Sequence, residues 1–330
     1  MSRVNHMFIC GTGSECVDVG GVRLAQMPLI FYDLGGFGIA WDGEFEEKMK
    51  IKTTWTKLLD LDFYTEGPAL DREGNLYFTT LTGGAILRSS RDGKLTEWAR
   101  LQCPNGQRIL ENGHHLVCDT LDRSVVELDA KGNFIAYKAR EVCADFPFQS
   151  PNDLVVDQWG GIYFTDSVRE IGQVFYIAPK GDQVLVAAKL DYPNGIALSG
   201  DGNRLFVAES TSNRILSAEL SGPGILRSSF EVFVDLPENP IPEDPDRLPF
   251  TANLPDGIAW DAHGRLWVAH YGMGVLQVIG AGGDLIDSIP SGIPATSNMC
   301  IAPDGLSIYV TGGTGEPGPG SVHKISFESL

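Results

Sequence analysis

One phrase recurs along this chain and constrains its fold more than any other feature. It runs as an acidic or amide residue, a Gly or Asp, a short apolar run, a D-x-x-G-like turn and a second apolar run. It reads TEGPALDREGNLYFTT from Thr65, PNGQRILENGHHLVCDT from Pro104, PNDLVVDQWGGIYFTDS from Pro151, PNGIALSGDGNRLFVAES from Pro193, LPDGIAWDAHGRLWVAH from Leu254 and SNMCIAPDGLSIYVTGG from Ser297. The leading polar residues Glu66, Asn105, Asn152, Asn194, Asp256 and Asn298 stand 39, 47, 42, 62 and 42 positions apart. A period of this length with several strands per unit predicts propeller blades, each with an apolar face that only stacking around a ring can bury.

Within a unit the first apolar run reads as the innermost strand and the second as its hairpin partner. Third and fourth strands follow, as in QVFYIAP and DQVLVAAK of the third unit or GVLQVIG and LIDSIP of the fifth. The last unit has only SVHKISF before the chain stops, so the β-rich segment from Ile51 to Leu59 is expected to supply its fourth strand. The expected fold is all-β, a six-bladed β-propeller over residues 49–330 closed by an N-terminal strand. Residues 1–48 form an appendage with no assigned role, in which PLIFYDLGGFGIAWDG reads as one more hairpin or a packing arm. The long interval before Asp256 falls in LPENPIPEDPDRLPFTAN, whose five prolines predict a semi-rigid loop overhanging the axis as a lid.

Composition narrows the function classes. A formal net charge of −18 opposes binding to phosphate backbones, so nucleic acid is excluded as a partner and a small-molecule substrate is expected. Cys10, Cys16, Cys103, Cys118, Cys143 and Cys300 form no C-x-x-C pair, which predicts free thiols. No apolar stretch reaches the roughly 18 residues of a membrane span, and the N-terminal apolar run is too short for a signal peptide. A cytoplasmic location is expected, with the oligomeric state left open.

In a propeller the starts of the innermost strands surround the axis on one face, so the six leading side chains are expected to converge. Asn-Gly and Asp-Gly are also ordinary turn dipeptides. Each repeat already has its hairpin turn several residues later, in DREG, DQWG, SGDG and DAHG, so the leading position is not needed for one. Two carboxylates, Glu66 and Asp256, with several amides and no His or Cys form a hard oxygen set. Such a set suits Ca2+, then Mg2+ or Mn2+, with Zn2+ last. The loops after the second strands are expected to place Asp119, Asp166, Glu209, His270 and Tyr271 around the mouth. Of these His270 is the one able to exchange protons near neutral pH. His114 and His115 read as turn or surface residues.

The phrases TEGPAL, SPNDLVV, YPNGIAL and LPDGIAWDAHGRLWVAHYGMGVL resemble the gluconolactonase, senescence marker protein and luciferin-regenerating enzyme family across residues 51–328. The resemblance implies a calcium-dependent propeller hydrolase with Glu66, Asn194 and Asp256 as metal ligands. It also implies Asn152 as a further ligand or a contact to substrate and water, and Asn105 as a pocket residue. Some sugar-lactonase members carry Arg where this chain has Ser150, a departure that weighs against sugar-acid lactones. The expected reaction is lactone opening by water, with Asp256 as the base, His270 as a second proton carrier, and Ser150, Asp166 and Tyr271 beside the substrate. Phosphotriester hydrolysis, a biosynthetic conversion at the same metal and a non-enzymatic binding propeller are the competing readings.

Overall fold

The structure is a computed structural model describing residues 8–11, 16–18, 37–40, 51–239 and 253–328. Two compact units divide the chain, Met1–Met49 and Lys50–Leu330. In the first, Phe8–Gly11 pairs antiparallel with Cys16–Asp18 on one side and Phe37–Ala40 on the other. The run PLIFYDLGGFGIAWDG thus supplies the strand Phe37–Ala40, and the rest of it lies outside the described residues.

The described part of the second unit is strands and turns, with one short 3-10 segment at Leu81–Gly83. Its leading residues lie in the first four positions of the strands Glu66–Leu70, Pro104–Ile109, Pro151–Val156, Pro193–Leu198, Leu254–Trp260 and Ala295–Ile301. Each starts an antiparallel meander. The third is typical, running Pro151–Val156, Ile162–Asp166, Gly172–Ile177 and Gln183–Leu190 in order. Its first turn is fixed by Asp157, whose Oδ1 accepts the backbone N–H groups of Trp159 and Gly161, the Asx chemistry that makes Asp a turn initiator. In the last meander Gly320–Phe327 pairs antiparallel with Thr53–Leu61, from Gly320 opposite Leu61 to Phe327 opposite Thr53. That strand begins two residues later than the sequence reading placed it and lies more than 250 positions from its partner.

Apolar layers join consecutive sheets. Ile86 packs with Val117 and Val126, Phe148 with Leu154, Phe164 and Phe175, and Tyr163 with Ile196 and Val207. Phe206 then packs with Ile258 and Val268, Trp267 with Met299 and Ile308, and finally Val322 with Leu76 and Phe78 of the first sheet. Burying these faces is the main stabilising term, at about 1.5–3 kcal/mol for each fully buried large apolar side chain. Hydroxyls sew the same junctions near the strand starts. Thr79 Oγ1 donates to Asn105 O, Thr165 Oγ1 to Asn194 O, Ser210 Oγ to Pro255 O and Ser297 Oγ to Thr65 O.

The glycines of the leading dipeptides have a packing reason. A Cβ on Gly195 would overlap the Asp256 carbonyl oxygen, and one on Gly257 would overlap the side chain of Asn298. Neighbouring innermost strands approach so closely here that only glycine fits. The long interval before Asp256 has two parts. The strand Arg214–Gly222 carries an extra short partner, Ile225–Leu226, and the proline-rich run from residue 240 to 252 falls outside the described residues. The lid expectation therefore concerns a segment that is not described. Among the described residues Cys103, Cys118, Cys143 and Cys300 are free, and no helix is long and apolar enough to cross a membrane.

Candidate functional site

The leading residues of five meanders, Glu66, Asn105, Asn152, Asn194 and Asp256, line one cavity of about 380 Å3. Each sits within the first three positions of its strand, so the approach of the strands carries the side chains together. The sixth, Asn298, stands behind the cavity and donates from Nδ2 to Glu66 Oε2 at 3.1 Å. Glu66 Oε2 also accepts the Gly67 N–H at 2.6 Å, which fixes that carboxylate within the site.

Most of the walls come from residues that the sequence reading did not single out, with Tyr271, expected beside the substrate, as the exception. Tyr64, Tyr192 and Leu254 lie two positions before Glu66, Asn194 and Asp256 and line the same cavity with Leu81 and Tyr271. Leu254 and Asp256 share one strand, where residues two apart face the same way, while Tyr192 reaches the cavity through a left-handed backbone at φ +60°. Tyr64 is anchored through its hydroxyl, which donates to Ala295 O at 2.9 Å, and its ring is tilted against Tyr271 with centroids 6.2 Å apart. Ser210, Thr211, Arg169 and Glu316 complete the lining. Glu316 belongs to the loop before the last strand, outside the repeated phrase, where no periodic signal exists.

The electrostatics of the cavity call for a positive partner. Glu66 and Asp256 are both buried. Burial, and after it the neighbouring Asp153, lifts the Glu66 carboxyl to about 8. Burial, then Glu66 and Glu316, holds Asp256 well above the usual carboxylate range, opposed by a hydrogen bond from Asn194. Asp153, next to Asn152 but outside the cavity lining, is fully buried and raised by desolvation against the pull of Arg108, whose Nη1 is 3.5 Å from Asp153 Oδ1. The Oδ1 atoms of Asn105 and Asn194 and the Oδ2 of Asp153 are buried without a hydrogen-bond partner among the described residues. Unpaired buried acceptors beside uncompensated carboxylates are costly. A hard cation would satisfy both at once, so the residues present fit one. Among the described residues no three His, Cys, Asp or Glu side chains cluster as a metal site, and the donor set here is carboxylates mixed with amides.

Several expected site residues stand elsewhere. His270 does not line the cavity: its Nε2 donates to Asn213 Oδ1 at 2.9 Å and its Nδ1 accepts from Gln277 Nε2 at 3.1 Å. Desolvation lowers its pKa to about 4. The reason is strand alternation, because Tyr271 faces the cavity and its neighbour therefore faces the sheet interior. Asp166 is also outside the lining and accepts the backbone N–H groups of Gln149 and Ser150. Ser150 itself is held by that bond away from the cavity. Asp119 binds the N–H groups of Gln102 and Cys103, and Glu209 that of Asp191. At this phase the carboxylates fasten the link that enters their own sheet. His115, read as a turn or surface residue, is buried, and desolvation lowers its pKa to about 3.

An all-β protein of the propeller type, with the starts of its innermost strands meeting at an acidic, oxygen-lined cavity, is the class that fold and site define. Within that class the chain belongs to the SMP-30/Gluconolactonase/LRE-like family, whose profile matches residues 64–314. It is 28% identical over 283 residues to lactonase drp35 of Staphylococcus saprophyticus, covering 80% of this chain and 82% of that one. A gluconolactonase from Xanthomonas campestris shares the fold at a TM-score of 0.70 and 24% identity, covering 84% of this chain and 90% of the other. The calcium-binding protein regucalcin of Agrobacterium tumefaciens does so at 0.68 and 19%, covering 85% and 96%.

Proposed function

We propose that the second unit is a six-bladed propeller closed by Thr53–Leu61, that residues 1–48 are an appendage to it, and that the protein is a divalent-cation-dependent lactonase. The observation that carries this reading is the pairing of two buried carboxylates of raised pKa, Glu66 and Asp256, with the partnerless Asn194 Oδ1 in one cavity. Family membership and the similarity to a lactonase support the choice of reaction.

Glu66, Asn152, Asn194 and Asp256 would hold the cation, with Ca2+ favoured by the oxygen-only donors. When bound, it supplies Lewis-acid polarisation of the lactone carbonyl and compensates the charge that builds on its oxygen. Asp256 accepts a proton on a carboxylate oxygen as water attacks the carbonyl carbon. It returns that proton to the ring oxygen as the acyl–oxygen bond breaks, leaving a hydroxy acid. Asn194 orients Asp256 through its amide hydrogen bond. Asn105 and Tyr271 border the substrate, and Tyr64, Tyr192, Leu81 and Leu254 exclude bulk water from the reacting ring.

Stripping the protein with a chelator is expected to abolish lactone hydrolysis, and adding Ca2+ back is expected to restore it at one ion per chain by elemental analysis. Full activity in protein shown to be free of metal would overturn the reading.

A further inference from the structure

Four charged side chains line the cavity: Glu66, Asp256, Arg169 and Glu316. On the lactonase reading, on which this inference rests, the first two are matched by the cation. Arg169 is already paired, its Nε 3.1 Å from Asp191 Oδ1. Glu316 has no hydrogen-bond or ion-pair partner among the described residues, so the uncompensated charge at the mouth is negative.

The backbone that carries this carboxylate is held in place. Pro317 O accepts the Tyr64 N–H at 2.9 Å, and Pro319 O accepts that of Thr314 at 3.0 Å. Gly318 presses against the Asp62 carbonyl, where a Cβ would not fit. Burial is the main cause that raises the Tyr64, Tyr192 and Tyr271 hydroxyls, and the nearby Glu316 carboxylate adds to it in each. An unpaired charge on an anchored loop at the entrance of a cleft acts on every charged molecule that enters.

We propose that Glu316 sets the charge specificity of this site: it discriminates against lactones that carry a carboxylate and weakens retention of the carboxylate product. Lactone opening turns a neutral ring into an anion, so the charge that leaves a neutral substrate unopposed repels what is made from it. Because Glu316 is exposed at the rim, the effect is modest. Screened by water as an exposed group is, a like charge about 3–4 Å away corresponds to about a five- to tenfold change in affinity.

The test compares γ-butyrolactone with its γ-carboxylate derivative, using calcium-loaded wild type, Glu316→Gln and Glu316→Asp. In Glu316→Gln the ratio of kcat/KM for the charged lactone to that for the neutral one should rise about five- to tenfold at low salt, and the gain should shrink at high ionic strength. Glu316→Asp should keep the wild-type ratio. An unchanged ratio in Glu316→Gln, or a loss of kcat on both lactones without a change in ratio, overturns the proposal. Calorimetric binding of 4-hydroxybutyrate, which needs no turnover, should be about five- to tenfold tighter in Glu316→Gln. If no protein opens either lactone, the lactonase reading falls, while the hydroxybutyrate affinities still decide whether Glu316 filters anions.

Discussion

Glu66 is 4% exposed, and burial carries its carboxyl to about 8 from an ordinary value of 4.5. In metal-free protein the folded state therefore holds a proton between these values that the unfolded chain has released. The associated stability is complete below pH 4.5 and is lost as pH rises through about 8. Glu66→Gln removes the ionisation and keeps the shape. It is expected to flatten that loss in metal-free protein, measured as denaturation midpoints at pH 6 and 9, and to weaken Ca2+ binding by about tenfold or more. A variant that binds Ca2+ as tightly as wild type would remove Glu66 from the ligand set. The sequence marked Glu66, Asn194 and Asp256 through their common phase in the repeat. It did not mark Glu316, because a single carboxylate in a Gly- and Pro-rich loop has no period to betray it, nor the fate of His270, whose facing depends on strand register.

The innermost strands are the elements on which the site depends, and their spacing rests on glycine. A Cβ on Gly257 would displace Asn298, the residue that donates to Glu66 Oε2. Gly257→Ala is expected to cost about 2 kcal/mol by chemical denaturation, the usual scale for forcing atoms into a packed core. It should also lower Ca2+ affinity, since Asn298 no longer fixes Glu66. Gly200, in a turn where an added Cβ meets nothing within 4 Å, is the matched control, and Gly200→Ala should change neither quantity. Turn chemistry and tight packing both select Asn-Gly and Asp-Gly, so the dipeptide alone does not separate them. The neighbouring strand does, because the overlapping atoms belong to the next repeat.

Across the whole molecule, the buried histidines shape the acid limb of stability. His115 and His270 are nearly inaccessible, and desolvation lowers them to about 3 and about 4 from an ordinary 6.5. Each contributes stability that is present above pH 6.5 and is lost as pH falls through the folded value, because only the unfolded chain takes up the proton. The His270 share is on the order of 3 kcal/mol. His270→Gln should therefore show a shallower fall in thermal midpoint between pH 6.5 and 4 than wild type, and an identical slope would refute the assignment. What the sequence determined by itself was whatever repeats or alternates: the all-β class, the phase of the leading residues and the hairpin turns, since these follow from local strand periodicity and Asx chemistry. What only the tertiary structure decided was whatever depends on a partner far along the chain. Glu316 comes to the cavity because its loop hydrogen-bonds to Tyr64, some 250 residues earlier, and Asp166 and Ser150 leave it because they bind each other. Such choices are made by packing and hydrogen-bond competition between distant segments, which no local pattern encodes.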